Sequence, residues 1–291
     1  MAQTRDIRRR IGSVKNTAQI TKAMQMISAA KMQKAQDRAL RSIPYAQGLY
    51  EIVAKIGKVS EYTSVYLKQA EPVRNIAVVV IGTSRGFVGS MLTSLLVKTM
   101  KLNRSLTEKY PAAKIKGISI HKTGLRILAN AGIESAYHFT DYFEAPTTTQ
   151  LTPIFDLLVS KFGLGEFDQI HLVFTHFVNT IKQEAISKQL LPLSLEEILR
   201  TGQETKQQGD YIFEPSAKDI LDKLLPEYFQ TQIFTALLES MASEHSARMV
   251  AMKNATDNAR DLEKVLTLMY NRKRQAGITQ EIIEVISGSN N

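Results

Sequence analysis

The sequence has no cysteine and no tryptophan, and only 8 prolines and 15 glycines in 291 residues. Zero cysteine excludes structural disulfides, thiolate metal sites, a cysteine nucleophile and thiol-based redox control. It sits easily with a reducing compartment. No apolar run is longer than Ile76 to Ile81, far short of the ~20 residues a membrane-spanning helix requires. The opening Met-Ala-Gln-Thr-Arg-Asp lacks the apolar stretch of a secretory signal, so a cytoplasmic or matrix-like setting is expected. Hydrophobic residues at 44% and charged residues at 22% are ordinary globular usage, which excludes wholesale disorder and a polytopic membrane protein.

What the chain does have is positive charge, a formal net +9, concentrated at one end. Residues 1–41 carry Arg5, Arg8, Arg9, Arg10, Lys15, Lys22, Lys31, Lys34, Arg38 and Arg41 against only Asp6 and Asp37. An anionic partner is expected there: nucleic acid, a membrane surface or an acidic protein.

From Thr4 to about Lys58 there is one proline, Pro44, and Ile7, Ile11, Val14, Ala18, Thr21, Gln25, Ser28, Met32, Ala35 and Ala39 recur at steps of four and three. Such heptad spacing predicts a long helix with a coiled-coil seam. The seam is thin, and a second apolar stripe through Ile20, Ala23, Met24, Ile27 and Ala30 faces elsewhere. Near the other terminus Leu238, Met241, His245, Arg248, Met252, Ala255, Ala259, Leu262, Leu266, Met269, Lys273 and Ala276 repeat the pattern. Pro226 interrupts its start, and no proline follows from Gln230 to Ser287, which predicts a rod of roughly 85–90 Å. Two heptad segments at opposite ends of one chain are most simply paired antiparallel.

Between them the period changes. Val73–Gly82, Ile115–His121 and Phe167–Val178 read as strands, and Ser90–Leu102, Gly124–Ala131 and Gln150–Phe162 as helices. Their alternation predicts a mainly parallel sheet. Thr201–Gly209 reads as a polar loop and Asp210–Pro215 as a last strand. The expected fold is α/β: a long antiparallel coiled coil of the N- and C-terminal helices plus a central Rossmann-like α/β domain. Its boundaries are 1–60 for the first coiled-coil helix, 73–215 for the central domain and 216–291 for the second helix.

Motifs for chemistry are mostly missing. Gly82-Thr-Ser-Arg-Gly-Phe-Val-Gly89 follows a strand and precedes a helix, where backbone N–H groups can receive phosphate. However, Ser90-Met91 replaces the Lys-Ser/Thr of a Walker loop, and the glycine spacing is not the dinucleotide one. Tight strand-to-helix packing or a partner-contact loop is the plainer reading. His121, His138, His171, His176 and His245 are scattered over different elements with no His-Glu-x-x-His pair, so no metal site is expected. No Gly-x-Ser-x-Gly elbow supports a serine nucleophile. Arg8-Arg9-Arg10 has the charge for nucleic acid but lacks a helix-turn-helix, a zinc finger or stacking aromatics beside it.

The two ends carry a resemblance. Ile7-Arg8-Arg9-Arg10-Ile11, then Ile20-Thr21-Lys22-Ala23-Met24-Gln-Met26 with Ala29-Ala30-Lys31-Met32, is similar to the I-R-x-R-I and I-T-K-A-M-x-M-V-A-x-x-K-M of the gamma-subunit family of F-type ATP synthases. Glu239-Ser-Met-Ala-Ser-Glu244-His245-Ser-Ala-Arg248-Met249 and Arg274-Gln275-Ala276-Gly-Ile278-Thr279-Gln-Glu281 resemble the family's C-terminal signature. The central loop departs from the family's T-S-D-R-G-L-C-G-x-x-N, because Thr83-Ser84-Arg85-Gly86-Phe87-Val88-Gly89-Ser90-Met91 lacks the Asp, the Cys and the Asn. With no cysteine, the dithiol switch of plant chloroplast members is impossible here.

The resemblance implies a non-catalytic central rotor shaft. It would couple ion-driven turning of the c-subunit ring to conformational change at catalytic beta subunits, for ATP synthesis or, in reverse, ATP-driven ion pumping. Implied partners are three alpha and three beta subunits, the epsilon subunit and the c ring, with no nucleic acid, no cofactor and no direct nucleotide binding. Implied rotor–stator contacts are Lys22, Met24, Arg85, Val88, Arg248, Arg274, Gln275 and Thr279, with Glu281 and Glu284 nearby, and Tyr211 implies a foot contact to the c ring. The implied location is peripheral, on the cytoplasmic face of a bacterial cell membrane or the matrix face of an organellar inner membrane. The readings set against it are a nucleotide-binding α/β enzyme with coiled-coil arms and a basic nucleic-acid or cytoskeletal adaptor.

Overall fold

The computed structural model describes residues 2–59, 64–67, 69–140, 146–193 and 216–289. The expected loop at 201–209, the strand at 210–215 and Tyr211 lie outside the described residues. In chain order the elements are α1 (Ala2–Val59), β1 (Asn75–Ile81), α2 (Met91–Lys109), β2 (Lys114–Ile120), α3 (Lys122–Asn130), β3 (Glu134–Phe139), α4 (Thr148–Gly163), β4 (Gln169–Phe177), β5 (Gln183–Leu191) and α5 (Ala217–Ser289). They form two compact units, one of residues 31–247 and one of residues 1–30 with 248–291.

The larger unit holds a five-stranded sheet in the order β3-β2-β1-β4-β5. β1 pairs in parallel with β2 and β4, β2 with β3, and β5 returns antiparallel beside β4. β1 is buried on both faces, which explains its unbroken Ile-Ala-Val-Val-Val-Ile run. Ile76, Val78 and Val80 join Leu95, Leu106, Ile127 and Leu128 from α2 and α3. Ala77, Val79 and Ile81 point the other way, into a core with Phe155 and Leu158 of α4, Leu49, Val53 and Ile56 of α1, and Leu225, Phe229, Ile233 and Leu237 of α5. Each fully buried Leu, Ile or Phe contributes about 1.5–3 kcal/mol relative to exposure.

Two strands went unread in the sequence. β3 alternates exposed and half-buried residues over six positions, and β5 buries only Leu190 and Leu191 fully. Both are edge strands, so neither carries the apolar run that marks a central one. Likewise α5 begins at Ala217 and runs through Pro226, where proline removes one backbone donor. Leu221, Leu225, Tyr228 and Phe229 are buried on either side of it, so packing holds the helix across the break.

The smaller unit is a pair of antiparallel helical segments. The Thr21 and Thr256 hydroxyls meet at 2.8 Å and set the register. Stepping away from them in opposite chain directions, burial falls at matching positions: Ala18 with Ala259, Val14 with Glu263, Ile11 with Leu266, Ile7 with Tyr270, and on the other side Gln25 with Met252. All are buried or half-buried, as the heptad reading requires. From Asn271 onward every described side chain of α5 is exposed. The expected apolar positions Leu262 and Met269 are half exposed, because the seam narrows to a single row there.

His171 on β4 is buried and bonds through Nε2 to Gln169 Oε1 at 3.1 Å, while Gln169 Nε2 donates to the Tyr110 hydroxyl at 3.0 Å. Burial, with the Lys109 charge adding to it, lowers its pKa to about 4, so it is neutral when folded at pH 7. An unfolded histidine takes its proton near 6.5, so stability present above that pH is lost as the pH falls toward 4, on the order of 3 kcal/mol. Melting temperatures taken from pH 7 to pH 4 should therefore fall less steeply in His171→Leu than in the parent chain. An identical decline would clear His171 of this role.

Candidate functional site

β1 is the strand from which the chain proceeds one way to β2 and β3 and then returns to the opposite side as β4. In open α/β sheets the crevice beyond the strand C-termini at such a reversal is where nucleotides bind. Here a turn of α5 fills it. Glu244, 3% exposed, accepts from the Ser84 backbone N–H at 3.0 Å and from the Ser84 hydroxyl at 2.5 Å. Ser240 Oγ accepts from the Thr175 N–H at 3.3 Å, and the Ser243 hydroxyl donates to the Thr175 carbonyl at 3.3 Å. Ser246 donates to the Thr180 carbonyl at 2.6 Å, and Glu239 Oε2 lies 2.5 Å from His176 Nδ1.

The loop after β1 is pinned from the other side too. Thr83 N–H donates to Thr123 Oγ1 at 2.5 Å, the Thr123 hydroxyl lies 2.8 Å from the Thr83 carbonyl, and the Thr83 hydroxyl donates to the Arg85 carbonyl at 3.0 Å. Gly82 passes so close to α3 that a Cβ would lie 2.3 Å from the Gly124 nitrogen. The glycine there serves close packing, as the plainer reading of the motif has it. His121 caps this corner at φ +67°, buried, and burial lowers its pKa against the opposing pull of the Glu244 carboxylate. Of the remaining histidines, His245 is buried, His176 is half-buried and His138 is exposed. Among the described residues no group of side chains could hold a metal ion, and no helix is long and apolar enough to cross a membrane.

Two outward surfaces remain. On the loop, Arg85 is exposed and Phe87 is 71% exposed at φ +62°, a left-handed backbone a bulky residue rarely adopts. Val88, expected to face a partner, is instead buried at 2%, and its carbonyl accepts from Met91 N–H, so Phe87 is the loop's apolar tip. The second surface is the helix pair. Lys22 is exposed and donates to Gln25 Oε1 at 3.2 Å, and Met24 beside it is half-buried. Arg248 is buried and partnered inside the chain. Arg274, Gln275 and Thr279 are exposed, with Thr279 donating back to the Gln275 carbonyl at 3.0 Å. Arg274 stands 18 residues beyond Thr256, roughly 27 Å along the helix, so Lys22 and Met24 form one level and Arg274, Gln275 and Thr279 another. Glu281 is exposed on the same stretch.

The outward apolar stripe is broader than the sequence reading allowed. Ile20, Met26 and Ile27 of α1 are more than half exposed, as are Val265, Leu268, Met269, Ile282, Ile283, Val285 and Ile286 of α5. Sequence reasoning also missed Glu244, Ser240 and Ser243, whose only trace is a polar run, Glu239-Ser-Met-Ala-Ser-Glu-His-Ser246, inside an otherwise apolar stretch of helix.

A helical pair faced with apolar and basic side chains, joined in one chain to an α/β domain whose crevice is filled from within, is built for contacts with other proteins. The profile of the family described as ATP synthase matches residues 3–291. The chain is 39% identical over 296 residues to the ATP synthase gamma chain of Variovorax paradoxus, covering 99% of this chain and 98% of that one. It is 37% identical over 292 residues to that of Nitrosospira multiformis, covering 99% of each. Among solved structures it is similar in fold to a chain of the Euglena gracilis mitochondrial ATP synthase rotor, with TM-score 0.63 and 17% identity over 95% of this chain and 99% of that one. A chain of the Tetrahymena thermophila mitochondrial central stalk and c ring gives TM-score 0.57 and 24% identity over 81% and 99%. The chain belongs to the ATP synthase gamma family, whose members are non-catalytic stalk subunits.

Because Glu244 and its serines hold the crevice, the isolated chain should bind neither ATP nor ADP in equilibrium dialysis. Saturable binding that is lost on altering Gly86 or Ser84 would restore the enzyme reading.

Proposed function

We infer that this chain is the central rotor shaft of an F-type ATP synthase. In this reading residues 1–60 and 216–291 form the axle and residues 73–215 the domain through which the c ring and the epsilon subunit grip it. It sits peripherally on the cytoplasmic face of a bacterial cell membrane, or on the matrix side of an organellar one. The observation that carries the reading is the outward apolar stripe of the helix pair, from Ile20 to Ile286, set among exposed arginines and lysines. An apolar surface of that extent requires a partner that encloses it.

The mechanism follows from asymmetry. A two-helix rod inside a ring of three alpha and three beta subunits touches chemically identical beta subunits with different faces. Each is biased toward a different conformation and nucleotide affinity by the difference in contact free energy. Turning the rod passes each bias to the next subunit. At the lower level of the helix pair Lys22 and Met24 meet an acidic segment of beta, where attraction to carboxylates is long-ranged and tolerant of angle, and the Arg85–Phe87 loop makes a stator contact of its own. At the upper level Arg274, Gln275 and Thr279 hydrogen-bond a loop of a catalytic subunit, for which the planar guanidinium of Arg274 is suited. Arg248 acts from inside the chain by fixing the helix behind that lower level.

Expressed with the other subunits of its complex, the chain should co-purify in one copy per three beta subunits. Recovery as a free protein with steeply salt-dependent polyanion binding would favour the adaptor reading instead. Within the complex, Met24→Lys adds a cation beside Lys22 and over-stabilises some rotor angles against the acidic segment. Ions pumped per ATP hydrolysed should fall, and an unchanged ratio would count against placing Met24 there.

A further inference from the structure

We propose that Glu244 is a positioning residue for the rotor–stator loop, its buried carboxylate standing above the turn after β1 where a phosphate would stand and holding Ser84 so that Arg85 and Phe87 are presented outward. The proposal rests on the reading of that loop as a partner contact and adds the residue that shapes it.

The donors are those a glycine turn offers to a bound anion: a backbone N–H and a hydroxyl, both from Ser84, at 3.0 and 2.5 Å from the two oxygens of one carboxylate. Bonds to a charged acceptor are shorter and about twice as strong as neutral ones, which offsets the cost of burying the carboxylate. Glu244 sits on α5 between Ser243 and Ser246, which tie the same helix turn to Thr175 and Thr180. It is therefore fixed from behind by β4 and the β4–β5 turn, and the loop takes its shape from the helix. The far side of that loop is Phe87, held in a left-handed backbone and 71% exposed. Such a conformation persists only where the surroundings over-determine it, and it gathers at functional contacts. The Thr83–Thr123 bonds anchor the loop's base. The Ser84–Glu244 bonds tie the next residue along it to the helix.

The test uses the assembled ATPase complex with Ser84→Ala, Glu244→Gln and Ser84→Thr. Ser84→Ala removes only the hydroxyl bond from a half-buried loop residue and is expected to fold even where Glu244→Gln does not. The readouts are tryptic cleavage after Arg85 and ions pumped per ATP hydrolysed. Losing one bond to the carboxylate should raise the open-loop population, and so cleavage, about tenfold or more, with a lower pumping ratio and retained ATP hydrolysis. Ser84→Thr, which keeps both donors, should match the parent on both readouts. Parent-like cleavage and parent-like pumping ratio in Ser84→Ala would overturn the proposal. If the parent chain fails to assemble with the other subunits, the rotor reading falls. Cleavage of the free chain then decides the Glu244 clasp, which fails if Ser84→Ala leaves it unchanged.

Discussion

A carboxylate placed out of water must be given donors, and in this chain the donors it finds are the polar ends of the sheet. The α5 turn from Glu239 to Ser246 satisfies Ser84, Thr175 and Thr180 at the mouths of β1, β4 and the β4–β5 turn. Removing it would take these bonds from several buried groups at the strand ends, each loss costing roughly 1–3 kcal/mol. One set of bonds thus does two things. It occupies the crevice that open α/β sheets leave at the reversal, and it makes the loops at the top of the sheet extensions of a helix.

The heptad positions Ile7 to Ala39 are all buried or half-buried, so the seam was legible from spacing alone. The second stripe was legible as a stripe, but its outward direction was not. That choice is made by size: Ala18, Thr21 and Ser28 let the helices approach to the distance of a Thr–Thr hydrogen bond, which Ile20 and Ile27 could not. β1, β2 and β4 announced themselves because central strands bury runs. β3 and β5 did not, because an edge strand shares its face with solvent and its composition with loops. Pro226 was misleading for a related reason. A local rule about proline gave way to burial of the residues around it.

The candidate surfaces divide along the same line. Arg274, Gln275 and Thr279 could be named from motif, and all three are exposed. Val88 could be named too, yet it packs inward, and the loop's apolar tip falls on Phe87. Glu244 could be quoted as part of a signature but not given a role. A carboxylate becomes informative only when its donors are known, and Ser84 lies 160 positions away in sequence.

The composition of the helix pair is best understood as a compromise between gripping and slipping. A seam that sets Ala18, Thr21, Ser28, Thr256 and Ala259 among its larger side chains buries less area, so the pair gains less from its own contacts than a leucine seam would. What it gains is closeness, and the bulky side chains are left for the outside. Apolar contact is non-directional, so Ile20, Ile27, Leu268 or Ile283 can exchange one apolar neighbour for the next at small cost as an enclosing ring passes. Buried ion pairs at the same places would resist each step, because breaking one strands a charge out of water. Among the described residues of the pair, Lys22 at one level and Arg274, Gln275 and Thr279 at another stand exposed, where solvent screens them. An axle of this kind holds each angle weakly along its length and reads angle at a few points. That is what transmitting a bias without becoming trapped by it demands.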